Sequence, residues 1–435
     1  MKQKISLPTA TSIVIANMVG TGVFASLGFQ LAGIQSVFAI LLLWLIGGVI
    51  ALCGAMTYGE LGANLLRSGG EYLFLSKMYH PSLGFVSGWV SATVGFAAPT
   101  ALVCMTFGEY LDRVFPQLNS TLLAVGLLII ITLVHTSSVK RGSSFQRVFT
   151  FLKVLLILVF VFIILVFGQN PQPINIIPTA TDWGFVFTPA FVVSLIYVSY
   201  AYTGWNAAAY LIDELEDPQK NLPKSLWVGT AVVTLLYLML NYAFLYAAPM
   251  DKLANEVEVG YVASVFALGE TGGVILSVML AILLISTASA MVFAGPRVLE
   301  VMGQDYPFFA RLSRRNERGV PVLAILIQSV ISLIFILSAS FDTVLVYAGF
   351  VLGLMTFFSV GGVFILRAKG MSKPETFRTK GYPLPPIIYM VIVGGTLYFL
   401  LQERPFEALS GLATVALGVA AFFLTNYLSK PKGSQ

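Results

Sequence analysis

The sequence predicts an all-α integral membrane protein of twelve transmembrane helices. Three observations lead there. Apolar residues make up 57% of the 435 positions and charged residues only 10%, where a soluble chain carries about 25% charge. No Asp, Glu, Lys or Arg occurs between Lys4 and Glu60. Beyond Glu60 the apolar residues gather into ten further segments, each able to cross a bilayer as a helix of about 20 residues. Helix is the required form, because hydrocarbon offers backbone polar groups no solvent partner. A soluble enzyme is excluded, since its surface could not be covered by so few charges.

The charge-free N-terminal run holds spans 1 and 2, joined by a tight turn near Gly33-Ile34-Gln35. Spans 3 to 7 are expected at 84–108, 119–136, 148–167, 186–211 and 225–248, and spans 8 to 12 at 272–296, 320–338, 342–366, 384–401 and 407–428. The first run is too long for a cleaved signal peptide, carries Pro8 and Asn17, and continues into a second span. An even number of spans puts both termini on one side. With the termini inside, 21 of the 25 Lys and Arg residues are cytoplasmic, among them Lys2, Lys4, Arg311, Arg314, Arg315, Arg318, Lys430 and Lys432. Only Arg113, Lys252 and Arg404 fall outside, and Lys153 lies within a span. The positive-inside rule therefore predicts cytoplasmic termini.

Other classes find little support. Cys53 and Cys104 both lie in apolar runs, so no disulfide framework or zinc cluster is expected. His80 and His135 are the only histidines and sit at span boundaries, where structural or solvated roles are expected. The net charge of +5 is scattered over short loops, which argues against nucleic-acid binding. No metal or cofactor is expected. The longest loops, about 249–271 and 297–319, hold no soluble domain. Function must sit in the bundle.

Two spans carry breaks. Span 1 reads Ile15-Ala16-Asn17-Met18-Val19-Gly20-Thr21-Gly22-Val23-Phe24, and span 6 reads Ser199-Tyr200-Ala201-Tyr202-Thr203-Gly204-Trp205-Asn206. Glycine costs about 1 kcal/mol relative to alanine inside a helix and permits unwound backbone. Matched Gly-interrupted spans in corresponding halves point to an inverted-repeat site. Unwinding frees N–H groups at a positive helix start for an anion and carbonyls at a helix end for an ammonium. A zwitterion fits both. Close helix packing explains the same glycines, so the pattern alone leaves both readings open. Pro99 and Pro189 are expected to be kinks repaired by neighbouring helices.

At this point the sequence resembles a known family. Span 1 is similar to the Gly-Ser-Gly segment of the amino acid–polyamine–organocation superfamily, with Thr21 in place of serine. Glu60-Leu61 and Gly69-Gly70-Glu71-Tyr72 resemble that superfamily's cytoplasmic segments. Tyr202-Thr203-Gly204-Trp205-Asn206, followed by Asp213-Glu214, Asp217-Pro218, Lys220-Asn221 and Pro223, is similar to the span 6 signature of the L-type amino acid transporter branch. Arg297 and Pro307 resemble the end of span 8 and its loop. The ordered set covers most of the chain.

The resemblance implies the leucine-transporter fold: a first repeat at 1–168, an inverted second repeat at 169–368, and peripheral spans 11 and 12 with a tail at 369–435. It implies sodium-independent amino acid transport, and the expected location is the inner membrane of the cell. The substrate carboxylate would lie on the unwound backbone at Val19, Gly20, Thr21 and Gly22, and the ammonium on carbonyls of Met18, Tyr200, Ala201 and Thr203. Tyr200 would close over the substrate, and Asn206 would be a polar neighbour. Two departures stand out. The loop Glu109 to Ser120 lacks the cysteine that joins L-type transporters to a heavy chain, so no disulfide-linked partner is expected. The gate position is Tyr where Phe or Trp is more usual.

Lys153 sits in the apolar stretch Phe151-Leu152-Lys153-Val154-Leu155, six residues after Arg147. Intramembrane ionisable residues are costly and mostly functional, although a lysine near a span end can snorkel to the surface. The resemblance implies that it replaces a sodium ion, bridging span 1 carbonyls and a span 8 hydroxyl, Thr287 first and Ser286 next. The overall reading is a carrier of neutral L-amino acids working by alternating access, as an exchanger or with proton coupling. A basic amino acid or polyamine antiporter is the nearest rival. No carboxylate lies at mid-depth in any span, which argues for neutral cargo. An intramembrane enzyme would need a nucleophile–base pair or metal cluster that the spans lack. A sensor or channel would share the fold, and no soluble signalling domain is present.

Overall fold

A computed structural model describes the backbone of residues 4–137 and 139–428, and their side chains except those of 139–149 and 428. Lys2, Lys430, Lys432 and the side chain of Arg147, used above for orientation, lie outside the described residues. Within them the chain is helical, and its one extended pairing is an isolated bridge between Ile5 and Leu215.

In chain order the helices are α1 (Leu7–Met18), α2 (Thr21–Leu31), α3 (Val37–Asn64), α4 (Glu71–Met78), α5 (Pro81–Val90) and α6 (Ala97–Asp112). Then come α7 (Ser120–Ser137), α8 (Val139–Phe167), α9 (Ala180–Val186), α10 (Pro189–Ala201), α11 (Pro218–Ala247) and α12 (Met250–Leu253). The last six are α13 (Val259–Ala294), α14 (Pro296–Asp305), α15 (Val322–Ser338), α16 (Phe341–Ala368), α17 (Leu384–Glu403) and α18 (Pro405–Leu428). Among the described residues, ten helical stretches are long and apolar enough to cross a membrane, α1 and α2 counting as one. The pair α9 and α10, bent by 66°, makes an eleventh, and α15 is a shorter apolar helix.

Local chemistry sets the element ends. Ser36 accepts from the Ala39 amide at the start of α3, and Ser340 does the same for Thr343 at α16. Thr179 and Asp182 form a reciprocal capping box on α9. His80 caps α5 by accepting from Ser82 N, the structural role expected of it. Thr188 caps α10 and Pro189 follows at its first position, which explains the sharp bend there. The irregularity expected at Pro99 lies just before it, as a π-helical turn at Ser91–Gly95 between α5 and α6. The Ala97 carbonyl beyond that turn accepts from Ser332, which ties the start of α6 to α15.

Lipid removes the hydrophobic drive between helices, so close packing and buried polar bonds must hold the bundle. One such set joins α3 to α16: Glu60, fully buried, takes two bonds from Arg367 at 2.8 and 2.9 Å and others from Ser372 and Thr379 N. The 369–383 connection folds over Glu60 and seals it inside.

Candidate functional site: two broken helices and a buried lysine

Span 1 breaks between α1 and α2. Val19 and Gly20 are extended, and α2 restarts at Thr21 with its first amides unpaired within the helix. Span 6 breaks after α10: Tyr202–Asn206 form turns, and a 3₁₀ segment runs from Ala207 to Glu214. The breaks lie side by side. A Cβ on Gly22 would sit 2.4 Å from Ala201 Cα, so only glycine permits this approach. Gly204 has φ +95, and a Cβ there would meet the Asn17 carbonyl at 2.7 Å.

Lys153 on α8 reaches the first break. Its residue is 0% exposed, and Nζ donates to Ala16 O at 3.2 Å, Val19 O at 2.8 Å and Thr287 Oγ1 at 2.8 Å. Thr287 in turn donates to Val19 O at 2.9 Å. These carbonyls end α1 and have lost their helical donors. One amino group therefore ties the end of α1, α8 and α13 together. Snorkelling is excluded by burial. Ser286, the second candidate partner, points elsewhere, and its buried Oγ has no protein hydrogen-bond partner.

Sequence reading missed Tyr237 on α11. Its hydroxyl lies 2.6 Å from Met18 O and 2.9 Å from Ala201 O, one from each broken helix. The ring packs against Trp44 and Tyr202 at centroid distances of 5.4 and 5.0 Å. Nothing in the sequence marks this tyrosine among 18, because its role depends on which face of α11 meets the breaks. The Tyr200 carbonyl accepts from both Thr203 N and Thr203 Oγ1, which fills its two lone pairs. The Tyr200 ring is buried, with its hydroxyl near the Thr21 hydroxyl.

A cavity opens beside the breaks, about 650 Å³ including its mouth. Asn17, Thr203, Gly204 and Asn206 line one wall, and Ser87, Ser91, Phe96 and Met291 another. Gly20, Thr21 and Gly22 do not line it. Glu71 does; it belongs to no span, so the absence of a mid-depth carboxylate from the spans did not bear on it. Glu71 begins α4, outside any span, yet only 3% of it is exposed. Its Oε1 accepts from Tyr58 at 2.9 Å and from the Asn206 amide, and its Oε2 accepts from Tyr210. The loop before α4 carries the residue inward, a path that composition cannot reveal. Among the described residues, no group of three or more His, Cys, Asp or Glu is placed to hold a metal ion.

Polar contacts join neighbouring elements at both ends of the bundle. At one end Ile5 pairs with Glu214 and Glu216 backbone, Arg297 binds Glu214 at 3.2 Å, and Ser68 exchanges bonds with Asp213. Arg67 and Tyr72 both donate to Asp305, and the hydrogen bond that Arg67 gives to that carboxylate raises its pKa above the ordinary value. At the other end Asn255 N donates to Gly28 O at 2.8 Å, and Arg113 bonds to Glu258. His135 contacts Ser289 at 2.7 Å, joining α7 to α13, and so is structural.

Comparison with known proteins agrees with this architecture. The amino acid permease family profile matches residues 5–428. The large neutral amino acids transporter small subunit 2 of Mus musculus is 30% identical over 99% of this chain and 83% of its own length. The b(0,+)-type amino acid transporter 1 of Mus musculus is 26% identical over 98% of this chain and 88% of its own. The Asc-type amino acid transporter 1 of the same species is 28% identical over 99% and 83%. A family profile that matches nearly the whole chain, together with relatives matched along almost all of it, leads to one conclusion: the chain is a membrane-spanning member of the amino acid permease family.

Proposed function

We propose that this permease carries neutral L-amino acids across the membrane by alternating access, without sodium, as an exchanger or with proton coupling. The observation that carries the reading is the pair of broken helices in contact at Gly22 and Ala201, with Lys153 seated on the first break. In this reading α9 with α10 and the shorter α15 complete twelve spans. Spans 1–5 (1–168) and 6–10 (169–368) form inverted repeats of the leucine-transporter type, with 369–435 peripheral. The termini are cytoplasmic and the membrane is the inner one.

The substrate carboxylate binds the amides of Gly20, Thr21 and Gly22 at the start of α2, where the helix dipole is positive. The ammonium binds carbonyls at the ends of α1 and α10. Met18 O and Ala201 O share the single hydroxyl proton of Tyr237 and so keep lone pairs for it. Tyr200 closes over the bound molecule, and Asn206 stands at the cavity edge. Lys153, with Thr287, takes the place of a sodium ion: a permanent ammonium makes the carrier a plain exchanger, and one that loses its proton couples transport to pH. The chain acts without a disulfide-linked heavy chain.

A basic substrate is the second reading, and Glu71 on the cavity wall is what favours it. Uptake of labelled alanine, leucine and lysine into proteoliposomes separates the two. The primary reading predicts sodium-independent uptake of a neutral amino acid that internal amino acid or an inward proton gradient accelerates. Lysine uptake alone would refute neutral cargo, and uptake that strictly requires sodium would refute the assignment to Lys153.

A further inference from the structure

The cavity wall shows an imbalance that the two breaks leave unexplained. Glu71 is only 3% exposed, and none of the ion pairs among the described residues includes it. Its three donors are neutral: Tyr58, Asn206 and Tyr210. A carboxylate offers about four lone-pair sites, so one acceptor position remains. Two more cavity residues carry buried polar atoms with no protein partner, Asn17 Oδ1 and Ser87 Oγ. Asn17 and Ser87 are 3% and 1% exposed. Asn17 uses its amide nitrogen on Ile13 O at 2.8 Å, so its oxygen is fixed as a bare acceptor. Buried unpaired polar groups are destabilising and rare in finished structures, and a buried charge without a counter-charge is costlier still.

We propose that this cavity is a second subsite, specific for an ammonium group of the substrate, in which Glu71 supplies the counter-charge and Asn17 Oδ1 and Ser87 Oγ complete the acceptor set. An ammonium has three donors and no acceptor, which matches a carboxylate, an amide oxygen and a hydroxyl. The subsite adjoins the carbonyls proposed to hold the substrate at the breaks, because Asn17 precedes Met18 and Thr203 belongs to both regions. It deepens the proposed function and rests on it. The ammonium has two possible sources: the α-amino group of any amino acid leaving the breaks, or the side chain of a basic one.

Ser87 gives the cleanest test. Its hydroxyl has no bond to lose, so Ser87→Ala should leave the melting temperature of the empty protein unchanged while weakening ligand binding. Calorimetric affinities for alanine and for lysine would be measured on purified wild type, Ser87→Ala, Glu71→Gln and Gly22→Ala, with melting temperatures alongside. The expected result is a loss of roughly tenfold in affinity for Ser87→Ala and Glu71→Gln, the scale of one charge-assisted hydrogen bond. Loss for both ligands assigns the α-ammonium, and loss for lysine alone assigns the side chain; either supports the subsite. If both variants bind both ligands within twofold of wild type while Gly22→Ala abolishes binding, the subsite is wrong and the break site stands. If wild type binds neither alanine nor lysine, the proposed function fails and the subsite with it.

Discussion

Replacing Lys153 by alanine should disorder the first break and alter transport more than it alters folding. The ammonium makes bonds of 2.8 and 3.2 Å to two α1 carbonyls and of 2.8 Å to Thr287. Hydrogen bonds to a charged group contribute about 1.5–3 kcal/mol each. Two carbonyl bonds then stabilise the unwound segment by roughly 3–6 kcal/mol. Thr287 still bonds Val19 O in the variant, which retains part of the geometry. Only the part that differs between states reaches the kinetics. If half of it does, the change is at least about 1.4 kcal/mol, or tenfold, in apparent KM on one membrane face. Lys153→Arg should behave like the alanine variant, because a planar fork cannot occupy the place of a compact charge. The assay is uptake into proteoliposomes of known orientation, measured from each side with sodium absent. Wild-type KM and Vmax on both faces in both variants would refute the reasoning.

Further consequences follow from single contacts. Gly22→Ala places a methyl 2.4 Å from Ala201 Cα, so transport should be abolished in protein that still purifies as a monodisperse species; wild-type uptake would show that the breaks need no such approach. Tyr237→Phe takes the shared donor from Met18 O and Ala201 O, and turnover should fall about tenfold, the scale of one lost buried bond. Tyr200→Ala should cut exchange strongly while Tyr200→Phe keeps most of it, and an alanine variant exchanging at the wild-type rate would place the gate elsewhere. Glu60→Ala strands Arg367 in a largely buried place; the arginine is 24% exposed, so the low end of the 3–5 kcal/mol range, about 3 kcal/mol, is expected as a lower melting temperature.

Much of the helical pattern was legible because lipid makes composition speak directly: charge-free stretches must be helices. The breaks were legible for a related reason, since Gly20, Gly22 and Gly204 are anomalies in an apolar run. Lys153 announced itself as a charge among Phe151, Leu152 and Val154. What stayed hidden depends on tertiary facing. Thr287 and Ser286 are neighbours about 100° apart on α13, and only the helix rotation decides which meets Lys153. Tyr237 is one aromatic among many until α11 packs on both breaks. Glu71 looked like a loop acid because its inward path is set by the turn at Gly69 and Gly70, where φ is +125 and +54. Element ends were blurred as well. Span 8 was expected at 272–296, whereas α13 starts at Val259 and runs through an irregular Gly269 with φ 75.

The most direct test of the account is a structure determined with bound amino acid. The account predicts its carboxylate within hydrogen-bond distance of the amides of Thr21 and Gly22, its ammonium on carbonyls of Met18 or Ala201, and the Lys153 ammonium still on Val19 O. An amino acid bound away from both breaks, with α1 and α2 unchanged and their free amides uncontacted, would contradict it.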